Sequence, residues 1–180
     1  MSLELIIGPM FSGKSTMLLS AEKKFQISKK NYICINHSFD TRYSNEGRIS
    51  THDGKISNGK HISVNKLNHI NTVELIEYDA FIIDEVQFFE DVDTFVDYWT
   101  SKGKIIICAG LNSDYRKMPF DPISKLIPRS DKIHHLNALC STCGKEAPFT
   151  ERCIKSDKQT LVGSSDIYLP KCRGCHKVIV

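Results

Sequence analysis

The sequence Gly8-Pro9-Met10-Phe11-Ser12-Gly13-Lys14-Ser15 follows the apolar run Leu3-Glu4-Leu5-Ile6-Ile7 near the start of the chain. It matches G-x-x-x-x-G-K-S, the pattern of a loop that joins a buried strand to a helix and binds nucleotide phosphates. The two glycines let successive backbone N–H groups point at one anion, and the dipole of the following helix adds positive charge. We therefore expect residues 8–15 to bind a nucleotide, with Lys14 reaching the β- and γ-phosphates and the Ser15 hydroxyl binding Mg²⁺.

A second motif, Ala80-Phe81-Ile82-Ile83-Asp84-Glu85, begins with four apolar residues that do not alternate with polar ones. This pattern predicts a strand buried on both faces, and its two carboxylates would reach the crevice where phosphates bind in an open parallel sheet. We expect Asp84 to hold the Mg²⁺ shell, which leaves Glu85 free to act on a nucleophile. Gln87 follows in the same motif.

The alternation of short apolar strands with helices predicts an α/β fold, a P-loop (RecA-like) parallel sheet flanked by helices. The expected strands lie at 3–7, 32–35, 61–64, 80–83 and 104–110, and the expected helices at 15–30, 66–77, 91–101 and 123–127. The pair His134-His135 is expected to be a surface or strand pair and not a metal site.

The composition is that of an ordinary globular protein, with 41% hydrophobic residues, 25% charged residues and a net charge of +3 over 180 residues. Because the basic residues occur in short pairs such as Lys23-Lys24, charge does not indicate a nucleic-acid partner. The N-terminus lacks a basic segment followed by a long apolar run, so we expect no membrane partner and a cytoplasmic location.

The last quarter of the chain carries two Cys-x-x-Cys pairs, Cys140 with Cys143 and Cys172 with Cys175. Four thiolates at this spacing satisfy a tetrahedral Zn²⁺ ion and leave no open position, which predicts a structural zinc site. The 28 residues between the pairs predict a loop held at both ends. His176 remains open as a competing ligand. We expect a P-loop domain over residues 1–138 and a zinc-binding domain over 139–180.

The two motifs and the cysteine pairs, in this order along essentially the whole chain, resemble the type II thymidine kinases of animals, bacteria and large DNA viruses. The resemblance implies transfer of the γ-phosphate of ATP to the 5′-hydroxyl of thymidine, giving dTMP for DNA synthesis. It also implies a homotetramer and feedback inhibition by dTTP.

The resemblance further implies roles for individual residues. Glu85 matches the catalytic base, with Gln87 beside it among the nucleotide-binding residues. Asp40 and Arg42 match a segment near the phosphates. The positions that match the nucleoside site are Met10, Tyr115, Phe149, Thr150, Gln159, Thr160, Leu161, Val162, Gly163 and Tyr168. Tyr115 stands where the family has Phe, and residues 159–163 belong to a lasso loop that encloses the thymine. Val86 and Ser164-Ser165 depart from the glycine-containing family pattern.

An alternative from another class is a P-loop ATPase with a zinc ribbon that binds nucleic acid. A GTPase would need Asn-Lys-x-Asp after the acidic strand, whereas Asn65-Lys66-Leu67-Asn68 ends in the wrong residue and precedes that strand. A nucleoside monophosphate kinase would carry the cysteine pairs in the middle of the chain. The preference for thymidine over deoxyuridine or deoxycytidine stays open at this point.

Overall fold

Six parallel strands form the main sheet of the protein, whose computed structural model describes residues 1–39, 48–51, 54–161, 163 and 166–178. The strands of this sheet are β1 (Ser2–Gly8), β2 (Tyr32–His37), β3 (Lys60–Val64), β4 (Ala80–Ile83), β5 (Ile105–Leu111) and β6 (Lys132–His135). Their spatial order is β3-β2-β4-β5-β1-β6, and each neighbouring pair is parallel. The predicted α/β class and parallel sheet are confirmed.

Helices cover both faces of the sheet. They are α1 (Lys14–Ile27), α2 (Thr72–Leu75), α3 (Val92–Ser101) and α4 (Asp121–Leu126), with 3-10 turns at Leu67–His69, Val86–Phe88 and Ile127–Arg129. One core cluster lies on the α3 and α4 side, where the Phe81 ring packs edge-on against Trp99 at 5.2 Å between ring centres. The other lies under α1 and contains Leu18, Phe25 and Cys34.

The helix predicted over residues 66–77 is replaced by the short turn Leu67–His69 and the single-turn helix α2. The cause is tertiary. The Asp91 carboxylate accepts the backbone N–H groups of Leu67 and Asn68 at 3.2 and 2.9 Å. The Asn71 side chain then starts α2 by accepting the N–H of Val73 at 3.0 Å.

The carboxyl ends of β1, β4 and β5 meet at one edge of the sheet. Gly8 lies opposite Leu111, and Ile83 lies opposite Cys108. Because β5 separates β1 from β4, its last residues lie between the loop that follows β1 and the acidic pair that follows β4. This edge is where ligands bind in parallel α/β sheets.

The C-terminal part of the chain adds two small antiparallel sheets. One pairs β7 (Ala138–Leu139) with β8 (Glu146–Ala147), and the other pairs β9 (Phe149–Arg152) with β10 (Tyr168–Lys171). The cluster of Ala138, Cys140 and Ala147 packs against Phe11, so this part contacts the loop after β1. In the described part of the chain, no helix is long and apolar enough to cross a bilayer.

Candidate active site

The loop of residues 8–15, called the phosphate loop here, connects β1 to α1 as predicted. Gly13 has φ +84°, a conformation that glycine adopts without strain, and Phe11 adopts φ +66° beside it. The Lys14 ammonium lies over the loop and donates to the Pro9 carbonyl oxygen at 2.7 Å. Its charge is therefore held at the N-terminal end of α1, where the helix dipole also favours an anion.

The acidic pair lies against the start of α1. Asp84 is only 7% exposed, and its Oδ2 accepts a hydrogen bond from the Ser15 hydroxyl at 3.4 Å. Its Oδ1 accepts the backbone N–H of Glu85 at 2.9 Å. A hydroxyl and a carboxylate from two different elements thus meet beside the phosphate loop, and both are oxygen donors of the kind that Mg²⁺ prefers.

Glu85 adopts a left-handed backbone conformation, φ +51° and ψ +40°. This conformation is uncommon for a residue other than glycine and costs about 1 kcal/mol, so the surroundings must maintain it. Gln87 provides part of that support. Its side-chain amide donates to Glu85 Oε2 at 2.5 Å, and its carbonyl oxygen accepts the N–H of Leu111 at 3.0 Å. Gln87 itself is buried.

A cavity lies between this edge of the sheet and the C-terminal part of the chain. Its lining is mostly apolar and aromatic: Met10, Phe39, Phe88, Leu111, Ser113, Asp114, Tyr115, Thr150, Thr160, Leu161 and Tyr168. A flat ring with a few polar groups suits such a lining. The cavity lies where the two parts of the chain meet. Met10 of the phosphate loop and Thr150 of β9 both line it, and the Met10 N–H donates to the Thr150 hydroxyl at 3.0 Å.

Six of the predicted nucleoside-site residues line this cavity: Met10, Tyr115, Thr150, Thr160, Leu161 and Tyr168. The hydroxyl of Tyr168 accepts the N–H of Leu161 at 3.0 Å, which holds the loop against the cavity. Sequence reasoning missed Phe39, Phe88, Leu111, Ser113 and Asp114. The signal for Leu111 was available, since it ends a buried strand at the ligand-binding edge.

Three other residues predicted for the nucleoside site, Phe149, Gln159 and Gly163, are not in the lining of this cavity. The Phe149 ring packs edge-on against His176 at 5.6 Å, and Lys117 Nζ and the Arg173 guanidinium approach the same ring at 4.5 and 5.0 Å. Gln159 is exposed. Gly163 packs closely on Ile167, where an added Cβ would come within 2.3 Å of Cδ1.

Predicted positions at Asp40, Arg42 and Val162 lie outside the described residues. The departures at Ser164 and Ser165 also lie there. Val86, the remaining departure, is fully buried in the larger core cluster.

The four cysteines at 140, 143, 172 and 175 come together as the spacing predicts. One sulfur from each lies within 4.8 Å of the others, and this group could hold a metal ion. The backbone N–H of Cys172 is the main cause that lowers the pKa of the Cys140 thiol to about 6, whereas a hydrogen bond with the Cys172 side chain is the main cause that raises the pKa of the Cys175 thiol to about 12. Binding of a metal ion by all four sulfurs would therefore release protons. The His176 imidazole is engaged elsewhere, since its Nε2 lies 3.1 Å from the Tyr115 carbonyl oxygen.

Comparison with known proteins agrees with this arrangement. A family model described as thymidine kinase matches residues 1–176. The thymidine kinase of Choristoneura fumiferana entomopoxvirus is 43% identical over 180 residues, covering 98% of this chain and 96% of the relative. The thymidine kinase of Amsacta moorei entomopoxvirus is 41% identical, with 98% of each chain covered. That of vaccinia virus (strain Western Reserve) is 36% identical, with 97% and 96% covered.

Among solved structures, the flagellar accessory protein FlaH from Methanocaldococcus jannaschii superposes with a TM-score of 0.56 at 16% identity, covering 81% of this chain and 74% of that one. This likeness concerns the fold alone. The family match, in contrast, spans both motifs and the four cysteines. The chain therefore belongs to the thymidine kinase family.

Proposed function

We propose that this protein transfers the γ-phosphate of ATP to the 5′-hydroxyl of thymidine, giving dTMP and ADP. The observation that carries the proposal is the position of the apolar cavity, which shares Met10 with the phosphate loop and includes Phe88, three residues after Glu85, in its lining. A nucleoside in this cavity would present its 5′-hydroxyl between the carboxylate and the phosphates. Membership of the thymidine kinase family supports this assignment over the nucleic-acid-binding ATPase.

The proposed roles at the phosphates follow from the contacts described above. The backbone N–H groups of residues 8–15 and the Lys14 ammonium would bind the phosphates, and Ser15 and Asp84 would supply oxygen ligands to Mg²⁺. Asp40 and Arg42 are assigned to the same end of the site by the resemblance alone. When bound, Mg²⁺ neutralises charge on the phosphate oxygens.

Glu85 is the proposed general base. Its carboxylate accepts the proton of the attacking 5′-hydroxyl, and the bond from the Gln87 amide fixes the direction in which the carboxylate points. The thymine ring packs among Phe88, Tyr115 and Tyr168, and Thr150 supplies a polar contact. The resemblance adds residues 159–163 and Phe149 to this site, although the Phe149 ring lies against His176 and not in the cavity lining.

A structural zinc ion bound by the four cysteines is part of the proposal. It would fix the C-terminal domain, residues 139–180, on the P-loop domain, residues 1–138, through the contact of its core with Phe11. We also propose a cytoplasmic enzyme, because no disulfide forms among the described cysteines.

Subunit association as a homotetramer and feedback inhibition by dTTP complete the proposal. The resemblance to the type II thymidine kinases is what supports the subunit number. Because dTTP carries both a thymidine and a triphosphate, it fits the two halves of the site at once.

The test is transfer of labelled γ-phosphate from ATP, in the presence of Mg²⁺, to thymidine, deoxyuridine, deoxycytidine and thymidine monophosphate. We expect phosphorylation of thymidine and none of the monophosphate. ATP hydrolysis without transfer to any nucleoside would contradict the proposal and favour the ATPase. Light scattering of the purified protein measures the subunit number.

A further inference from the structure

Arg152, the last residue of β9, is an arginine buried to 1% exposure. Burial of a cation is costly unless polar partners replace water. Here Nη1 donates to the carbonyl oxygen of Lys158 at 2.5 Å, and Nη2 donates to the carbonyl oxygen of Ser156. The guanidinium thus holds two nearby carbonyl groups in the loop that follows its own strand.

The other partner of this guanidinium is an aromatic ring. The centre of the group lies 3.6 Å from the centre of the Tyr115 ring, a stacking distance at which the cation and the ring attract each other. The Tyr115 hydroxyl donates to the same Ser156 carbonyl at 3.3 Å. A phenylalanine at position 115 would preserve the stacking and lose this bond. Tyr115 also lines the cavity, so one ring serves the cavity wall and the loop anchor.

The loop segment 156–161 is therefore fixed at both ends. Arg152 and Tyr115 hold Ser156, Arg152 alone holds Lys158, and the Tyr168 hydroxyl holds Leu161. Between these anchors, Thr160 and Leu161 line the cavity. A segment that is already ordered loses less conformational entropy when a ligand binds against it.

We propose that Arg152 is a positioning residue for nucleoside binding, which clamps residues 156–158 to the Tyr115 ring and thereby sets the affinity for the nucleoside. This inference rests on the proposed function, since it takes the cavity to be the thymidine site. The clamp depends on the planar fork of arginine, which reaches two carbonyl oxygens and one ring face together. Lysine carries the same charge but cannot reproduce that geometry.

The experiment compares Arg152→Lys, Tyr115→Phe and wild type, with the exposed Arg129→Lys as the matched control. We expect Arg152→Lys to raise the thymidine Kd, measured by calorimetry, about 10-fold or more, since two charge-assisted bonds are disturbed. The thymidine KM should rise in parallel, while kcat and the ATP KM stay within about twofold. Tyr115→Phe should raise the thymidine Kd by a smaller factor, and Arg129→Lys should match wild type.

Limited trypsin digestion gives a readout that does not depend on activity, because Lys158 lies in the clamped segment and Lys155 directly precedes it. We expect faster cleavage after these two lysines in Arg152→Lys and Tyr115→Phe than in the control. Unchanged thymidine Kd and unchanged cleavage in folded variants would overturn the clamp. Should Arg152→Lys fail to fold, unchanged cleavage in Tyr115→Leu, which removes both the stacked ring and the hydroxyl, would overturn it. Absence of thymidine binding by wild type would instead overturn the proposed function.

Discussion

The side-chain amide of Gln87 donates to the carboxylate of Glu85 at 2.5 Å while its carbonyl oxygen accepts the N–H of Leu111 at 3.0 Å. One glutamine therefore connects the acidic residue after β4 to the end of β5. Since both ends of the amide are occupied, its orientation is fixed, and the Glu85 carboxylate has a defined partner although its backbone is in the left-handed region.

Replacing Glu85 by glutamine tests the proposed general base. We expect kcat to fall about 100-fold or more, because the amide cannot accept the proton of the 5′-hydroxyl. The ATP Kd should change little, since the phosphate loop is intact. Single-turnover transfer to thymidine measures the first quantity and equilibrium binding of ATP the second. A variant with wild-type turnover would remove Glu85 from this role.

Replacing Gln87 by leucine should lower kcat about 10-fold and leave the thymidine Kd nearly unchanged. The reason is that leucine preserves much of the buried volume but cannot orient the carboxylate or accept the Leu111 N–H. Steady-state kinetics together with thymidine calorimetry check this split between turnover and binding.

A substitution in β5 should disturb the same contact between Gln87 and Glu85. At Gly110, an added Cβ would lie 2.6 Å from Gln87 Oε1 and 2.9 Å from Val86 Cγ1. Gly110→Ala should therefore displace the amide and reduce kcat in the same direction as Gln87→Leu. Full activity in both variants would show that Glu85 keeps its orientation without this amide.

His61 predicts a pH dependence of stability. Burial is the main cause that lowers its pKa. The Glu22 charge raises this pKa, and the Arg48 charge lowers it. The Ser57 hydroxyl donates to Glu22 at 2.8 Å and so accepts from His61 Nε2 at 2.9 Å, while Nδ1 is buried and has no hydrogen-bond partner among the described residues. The folded protein thus holds the neutral imidazole.

Because the folded pKa is below the unfolded value of about 6.5, the unfolded state takes up a proton first as the pH falls. The contribution of His61 to the free energy of unfolding is complete above pH ~6.5 and decreases as the pH falls below that value. We expect the free energy of unfolding, measured with urea, to fall less between pH 7.5 and pH 5.5 in His61→Gln than in wild type. An equal loss in both proteins would contradict the assignment.

Removal of one cysteine of the cluster tests the metal site. Wild type should contain about one zinc ion per chain. Cys172→Ser should lower the zinc affinity at least about 10- to 100-fold. Substitution of residues that only hydrogen-bond to a metal ligand already has an effect of this size, and Cys172 is a ligand itself. The variant should also raise the thymidine KM, since β10 begins four residues earlier in the chain. Elemental analysis gives the zinc content, and Cys153→Ser, outside the cluster, is the control. Equal zinc in both variants would contradict the four-thiolate site.

The sequence was sufficient for those features that local chemistry determines. The phosphate loop, the strand before Asp84 and the cysteine pairs each carry their own spacing signal. The break within residues 66–77 was not predictable, because it depends on the carboxylate of Asp91 in a later part of the chain. The cavity lining was partly predictable: Phe39 and Phe88 come from separate segments that meet only in the folded sheet, their rings 5.6 Å apart.

The central position of β1 has a consequence for synthesis of the chain. Its neighbours β5 and β6 are made long after it, and the bonds of Leu3 to Asp131 and of Met10 to Thr150 span 128 and 140 residues. Contacts this distant in sequence slow folding, and strands without partners are prone to aggregation. On the ribosome, the first motif to emerge is thus among the last to reach its final surroundings, so the nascent chain must keep β1 from mispairing until almost the whole protein has been made.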